Sequence, residues 1–303
     1  MGSALVEISN QLAAVAERAG SAVVNVGGRS YGSSSGIHWR RGVVVTANHA
    51  VKRDEDIAVT LPDGRSLKAT LVGRDGGTDV AVLKVEGLGE SPAQFSEASE
   101  VRVGNLALVL GRHRENGLMA SLGAVSLVSD SRRTWSGGTL DRYIRLDVAL
   151  YPGSSGGSVV DVEGRIIGMT TAALSRVAPL TVPVSTVNRV SATLLEKGHI
   201  PRGYLGIGLQ PVSIPTDLKT NLSLVNNNGI IVLSVGPGGP AERGGVMIGD
   251  ILVTLEGHAL EQTDDLQTLL NADAVGKSRK VQAIRGGKLI ELSVQIAERP
   301  RRS

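Results

Sequence analysis

The chain has 303 residues, of which 41% are apolar and only 2% aromatic, with a formal net charge of +3 and no cysteine. That length provides for two domains of ordinary size, each with a core built from Val, Leu, Ile and Ala. The absence of cysteine excludes a disulfide framework and a thiol nucleophile. Scattered Lys and Arg, clustered only at Arg299–Arg302 and without stacking aromatics, exclude a nucleic-acid groove.

In chain order, Leu5, Ile8, Leu12 and Val15 recur at helical spacing and predict a first helix over Ala4–Ala19. This stretch carries Glu7 and Glu17 and lacks the basic start and apolar block of a signal peptide. Met1-Gly2-Ser3 reads as a cloning remnant, so the expectation is an export signal that has been removed, with a cytoplasmic protein as the alternative. No run of 18 apolar residues occurs, so no membrane-spanning helix is predicted.

Short β-type runs follow: Ala22–Val26, Gly42–Ala47, Ile57–Leu61, Lys68–Val72 and Asp79–Val85. A second group comprises Leu106–Gly111, Leu122–Val128, Tyr143–Val148, Gly157–Asp161, Arg165–Thr171 and Leu180–Val182. Asp63-Gly64, Asp75-Gly76 and Glu163-Gly164 mark turns, and the 39 glycines lie between apolar runs, as tight turns in a β-rich protein require. So many short strands with turns at regular spacing predict barrels or sandwiches. At Ser185 the period becomes helical, with Val187, Val190, Leu194 and Leu195 on one face, Ser185 or Thr186 as cap and Gly198 as terminator. The domain reading is 4–197, a linker over 198–203, and a second domain over 204–299. The second domain has strands near Ile230–Val235, Ile251–Leu255, Lys280–Ile284 and Glu291–Ile296, and a helix starting near Thr263 with Leu266, Leu269 and Leu270 inward.

Three segments carry chemistry. Val44–Val51 is an apolar strand running into His49; Gly77–Val85 has Asp79 at the mouth of a strand; Pro152–Ser158 is a Gly-Ser turn around Ser155. A serine hydroxyl becomes a useful nucleophile only when a base takes its proton, and imidazole titrates near working pH. A buried carboxylate fixes the imidazole tautomer and stabilises the imidazolium. Glycines beside the nucleophile let backbone N–H groups converge on the developing oxyanion, where one donor supplies about 3 kcal/mol. Gly153 and Ser155 are the expected oxyanion-hole donors, with Ser154 between them as the third residue of that loop. Taken singly, each feature has an ordinary reading: a surface histidine, a strand-capping aspartate, a flexible turn. The other histidines (His38, His113, His199 and His258) do not end a long apolar strand with a matching Asp downstream.

The segments Thr46–Val51, Thr78–Val85 and Pro152–Gly157 resemble the catalytic blocks of the HtrA/Deg family of trypsin-like serine proteases. Val103-Gly104-Asn105, Gly123–Ser126 and Arg165–Met169 are similar to that family's second-barrel strands. The resemblance implies a chymotrypsin-like pair of six-stranded antiparallel β-barrels with a helix at each end, and the catalytic roles nucleophile for Ser155, base for His49 and orienting acid for Asp79. Ser154 and Ser158 stand where the family has Asn and Pro, Gly111-Arg112-His113 replaces its Gly-x-Pro, and the segment Gly36–Arg41 is short. Trypsin-type enzymes that cut after basic residues have Asp six positions before the nucleophile. Here that position is Ala149, between Val148 and Leu150, and an uncharged specificity pocket suits small or medium aliphatic side chains. The loop Ala172–Pro183 is the expected second wall.

The order Gly203–Gly208, Gly229–Val235, Gly239–Gly245 and Ile248–Leu252 looks like a bacterial PDZ domain. By that resemblance Tyr204, Leu205, Gly206 and Ile207 form the loop that binds a peptide's terminal carboxylate. The resemblance as a whole implies an ATP-independent serine endopeptidase acting on unfolded or misfolded polypeptides in protein quality control, in the periplasm or cell envelope, as a homotrimer or higher oligomer. No metal cluster, phosphate loop or dinucleotide fingerprint is read, so neither metal nor cofactor is expected. Two alternatives stay open: a protease-fold binding protein or chaperone with an inactive resting site, and a signalling protease with one regulatory substrate.

Overall fold

The computed structural model describes residues 3–28, 31–96 and 100–300. It divides into two compact units, 1–200 and 201–303.

The first unit begins with helix α1 (Ala4–Gly20), whose N-terminus is capped by the Ser3 hydroxyl accepting from Leu5 N–H. The next six strands are β1 (Val23–Gly28), β2 (Tyr31–Arg40), β3 (Val43–Ala47), β4 (Ile57–Thr60), β5 (Ser66–Asp75) and β6 (Val80–Val85). They close into an antiparallel barrel in the order β1-β2-β3-β6-β5-β4. The continuous apolar runs in β3 and β6, rather than alternating ones, have a direct cause. Val44, Ala81 and Leu83 fill the barrel interior, while Val43, Val45, Val80 and Val82 on the opposite faces enter a second core. Each fully buried Val or Leu contributes about 1.5 to 3 kcal/mol, so neither face tolerates polar residues well. Strand β2 was not anticipated: Gly36–Arg41 was read only as a short segment before the His49 strand, and Gly36–Arg40 belongs to β2.

The second barrel is formed by β7 (Leu106–His113), β8 (Gly117–Ser129), β11 (Tyr143–Asp147), β12 (Ser158–Val160), β13 (Ile166–Thr171) and β14 (Leu180–Pro183), ordered β11-β14-β13-β12-β7-β8. A small hairpin, β9 (Arg132–Arg133) with β10 (Thr139–Leu140), stands between β8 and β11. Val109, Val125, Ile144, Leu146 and Val159 fill the interior of this second barrel. Leu108, Leu110, Ile166, Met169 and Val182 instead face the core shared with the first barrel, α1 and α2.

Helix α2 (Val184–Lys197) buries Val187, Val190 and Leu194 and ends at Gly198 in the left-handed conformation. The expected Ser185 or Thr186 cap is not made. The N-cap is Pro183, two residues before Ser185 and with no side-chain cap, and the Thr186 hydroxyl accepts from Asp141 N–H at 2.8 Å instead. Proline tolerates a helix start because it has no N–H to satisfy there.

The second unit contains β15 (Gly203–Tyr204), β16 (Ile207–Ser213), α3 (Thr216–Asn221), β17 (Asn228–Val235), α4 (Pro240–Arg243), β18 (Ile251–Leu255), β19 (His258–Ala259), α5 (Thr263–Leu269), β20 (Ser278–Arg285), β21 (Lys288–Gln295) and β22 (Ala297–Glu298). The main sheet runs β16-β17-β18-β20-β21, so β16 is an edge strand. Its core includes Leu205, Ile230, Val232, Leu252, Leu266, Val281 and Ile296, with Leu269 and Leu270 packed partly buried against it. Gly203 pairs with Glu298 in a two-stranded ribbon, so a residue read as linker belongs to a strand of this unit.

Candidate active site

The register of one strand pair brings together residues 30 apart in the chain. β3 and β6 are antiparallel with Ala47 opposite Val80. His49 lies two residues past the end of β3, on a single helical turn (Asn48–Ala50), and Asp79 one residue before the start of β6. Both therefore emerge at the same end of the pair. His49 Nδ1 lies 2.7 Å from Asp79 Oδ2, and the His49 backbone N–H donates to Asp79 Oδ1 at 2.9 Å. The Asp79 side chain is 3% exposed and the His49 side chain 39%. Asp79 adopts φ +58°, a left-handed conformation that Asp tolerates better than most residues. The preceding loop is fixed by Asp75, whose carboxylate accepts from the N–H groups of Gly77 and Thr78 and from the Thr78 hydroxyl.

The pair has a third member. The Thr171 hydroxyl, at the end of β13, donates to Asp79 Oδ2 at 2.5 Å. Three donors on this buried carboxylate fix its orientation. The hydrogen bond between His49 Nδ1 and Asp79 raises the His49 pKa; burial opposes it, and Asp79's negative charge adds to the rise. The role of Thr171 was not legible in the sequence, where it is the last residue of an apolar strand 92 positions from Asp79. Only closure of the two barrels brings the residues together.

Ser155 sits half-buried in the turn before β12. Tyr151 O accepts from Ser154 N–H at 3.0 Å, and Gly153 has φ +86°. With proline at the second position this is a type II turn, which requires a positive φ where Gly153 stands. Gly157 N–H donates to Ser154 O, and Gly156 N–H to Thr170 O. A β-carbon at Gly156 would lie 2.6 Å from Thr46 Oγ1 and 2.8 Å from Ala47 N, so the nucleophile turn is packed directly against the strand that leads to His49. Ser154 N–H is engaged within the turn, whereas the N–H groups of Gly153 and Ser155 have no acceptor among the described residues. Likewise, among the described residues, neither Ser155 Oγ nor His49 Nε2 has a hydrogen-bond partner, so the hydrogen bond between them is not made. Catalytic hydrogen bonds are commonly long or misaligned before substrate is bound. Ser158 is fully buried with its hydroxyl unpaired.

Ala149 is exposed between Val148 and Leu150, which pack partly buried against the second-barrel interior. In the second unit, Leu205 is buried and Gly206 has φ +78°. The carbonyls of Leu205 and Gly206 accept from Ala241 and Gly236, while their own N–H groups have no acceptor among the described residues. Tyr204 pairs with Ala297, and Ile207 is already the first residue of β16, opposite Val235. No group of three His, Asp or Glu side chains suited to a metal ion occurs among the described residues.

A family model described as trypsin-like peptidase domain matches residues 34–169, and one described as PDZ domain matches 203–296. A probable periplasmic serine endoprotease, DegP-like, from Brucella suis biovar 1 (strain 1330) is 33% identical over 270 residues, covering 86% of this chain and 51% of the relative. Its namesake from Pseudomonas putida (strain GB-1) is 31% identical over 264 residues, covering 86% and 54%. The chain thus spans about half the length of the curated relatives it matches. Among solved structures, the HtrA-type protease AlgW with decapeptide superposes with TM-score 0.76 at 25% identity, covering 96% of this chain and 99% of that one. The serine endoprotease from Yersinia pestis gives 0.75 at 25% identity, covering 96% and 98%.

Proposed function

From its place in the HtrA-type, DegP-like family of trypsin-like serine proteases, to which the chain belongs, we propose that this protein is a serine endopeptidase using Ser155, His49 and Asp79. The observation that carries this reading is the short His49–Asp79 contact, with a buried carboxylate, at the rim of the turn holding Ser155. His49 Nε2 takes the Ser155 proton as Oγ attacks the scissile carbonyl carbon. The carbonyl oxygen becomes the oxyanion, stabilised by Gly153 N–H and Ser155 N–H. Imidazolium, held by Asp79, returns the proton to the leaving amine, and an acyl-enzyme remains. Water, deprotonated by His49, attacks the acyl-enzyme; the acid is released and the proton returns to Ser155. Ser154, although part of the same loop, supplies no donor in this conformation because Tyr151 holds its N–H. The test is a fluorophosphonate probe, which should label Ser155 in the native protein and fail in Ser155→Ala and His49→Ala.

We take 4–197 as the protease domain and 204–299 as the PDZ domain, joined by 198–203, the last residue of which already pairs with Glu298 in β22. The free edge of β16 beside α5, and the unengaged N–H groups of Leu205 and Gly206, suit an extended peptide added to the sheet with its carboxylate at Tyr204–Ile207. The substrate class is unfolded or misfolded polypeptide, with quality control in the periplasm or cell envelope as the role and a homotrimer or higher oligomer as the assembly. Broad cleavage of casein and sizing in solution test these; cleavage of one substrate alone would favour a signalling protease. A second reading, a binder or chaperone with an inactive resting site, is favoured by the unmade Ser155–His49 hydrogen bond. Absence of labelling with or without C-terminal peptides would select it.

A further inference from the structure

The backbone of the nucleophile turn is held from outside by hydroxyls that the reaction scheme does not use. On β2, the Ser34 side chain donates to Ser155 O at 2.7 Å, and Ser35 N–H donates to the same oxygen at 3.2 Å. The Ser35 hydroxyl donates to Gly153 O at 2.6 Å and accepts from Arg112 N–H at 2.9 Å. Ser34 is 6% exposed and Ser35 fully buried. Asn25, 2% exposed on the neighbouring strand, holds the carbonyls of Ser34 and Arg112 at 3.1 and 2.9 Å.

These bonds fall on particular peptide planes. The Gly153–Ser154 plane is held at its oxygen by Ser35 and at its nitrogen by Tyr151 O. The Ser155–Gly156 plane is held at its oxygen by Ser34 and Ser35 and at its nitrogen by Thr170 O. The plane between them carries Ser155 N–H. With both flanking planes fixed at each end, the torsions that aim this N–H, and the Ser155 side chain, have little freedom left.

We infer that Ser34 and Ser35 are positioning residues that pre-set the oxyanion donor and the nucleophile from the opposite barrel. This rests on the protease reading for its kinetic consequences but not for its structural ones. Neither hydroxyl touches substrate; both act through the carbonyls of Ser155 and Gly153. A donor that must be reoriented during the reaction loses the advantage of preorganisation.

The test uses Ser34→Ala, which leaves Ser155 O one partner, and Ser35→Ala, which leaves Gly153 O none. Amide hydrogen exchange over residues 151–157 should quicken in each variant, most in Ser35→Ala, while exchange in β3 and β6 stays unchanged. On a peptide substrate, Ser34→Ala should lower kcat about 10-fold with KM within about twofold, and weaken a peptide boronate by the same factor. Unaltered exchange over 151–157 in both variants overturns the inference, whether or not the native protein hydrolyses peptides. Slower hydrolysis arising wholly from KM overturns it too. Failure of the native protein to label with fluorophosphonate, with faster exchange in the variants, counts against the protease reading and leaves the clamp standing.

Discussion

Gly138, in the hairpin between β9 and β10, faces Gly77, two residues before Asp79, so closely that a β-carbon at 138 would lie 2.7 Å from Gly77 Cα. The adjacent Thr134 hydroxyl donates to Gly77 O at 2.6 Å. The second barrel therefore presses on the loop that places the acid. Gly138→Ala must move Gly77, and with it Asp79. A displacement near 1 Å at a catalytic group costs about 100-fold in rate. We expect kcat/KM to fall by about that factor in Gly138→Ala and less in Thr134→Val, with circular dichroism unchanged.

The raised pKa of His49 sets the pH dependence. Only the neutral imidazole accepts the Ser155 proton, so activity should rise with pH through a midpoint above the ordinary histidine value of about 6.5. Asp79→Asn removes the charge and puts an NH2 donor in place of one accepting oxygen, which favours the wrong imidazole tautomer. The midpoint should then move down and kcat should fall by about 10⁴-fold. Measuring kcat/KM from pH 5 to 9 in both proteins checks this.

The same shift has a stability consequence of opposite direction. Because the folded pKa lies above the unfolded one, the His49–Asp79 pair contributes most stability below about pH 6.5. That contribution disappears as pH rises through the folded value. The Tm difference between native protein and His49→Ala should accordingly be larger at pH 5.5 than at pH 8.5.

Ala149 should govern the first specificity contact. With no acid at this position and Val148 and Leu150 beside it, a peptide library should be cut after small or medium aliphatic residues. Ala149→Asp should raise cleavage after Lys and Arg at their expense. Cleavage chiefly after basic residues by the unmodified protein would refute the uncharged pocket.

In the PDZ unit, Asp250 is 1% exposed and holds Arg285 through two hydrogen bonds of 2.7 Å. Burial alone would raise the Asp250 pKa; the Arg285 guanidinium and Met247 N–H together hold it below the usual carboxylate range. Its contribution is present above about pH 3.9 and is lost as pH falls through the depressed value. Asp250→Ala removes both hydrogen bonds from Arg285, which stays partly exposed, and the acceptor of Met247 N–H, and should cost about 1 to 3 kcal/mol, read by denaturant unfolding of the full chain. The His49–Asp79 contact belongs to the other unit, so fluorophosphonate labelling should survive.

Much of the fold and the site is legible in the sequence. His49, Asp79 and Ser155 each stand at a strand end, and strand ends can be read from apolar runs and turn residues. The doubly buried strands Val43–Ala47 and Val80–Val85 are strong signals because both faces are apolar. Gly198 announces the end of α2 because a left-handed cap favours glycine. The N-terminal edge of that helix misled, since Pro183 starts it and Thr186 caps nothing. Strand β2 was missed because its serines and glycines lack the apolar alternation that marks a strand.

By itself, then, the sequence determined the two-domain organisation, the barrel-type β-architecture and the three residue types at strand ends. The tertiary structure alone decided which groups hold them. Thr171 reaches Asp79 across 92 positions, Thr134 reaches Gly77 across 57, and Ser34 reaches Ser155 across 121. Local patterning records which face of a strand is buried, because burial depends on side-chain type. A hydroxyl that meets a carbonyl from the opposite barrel leaves no such trace, since its partner is set by how the barrels close rather than by the residues beside it.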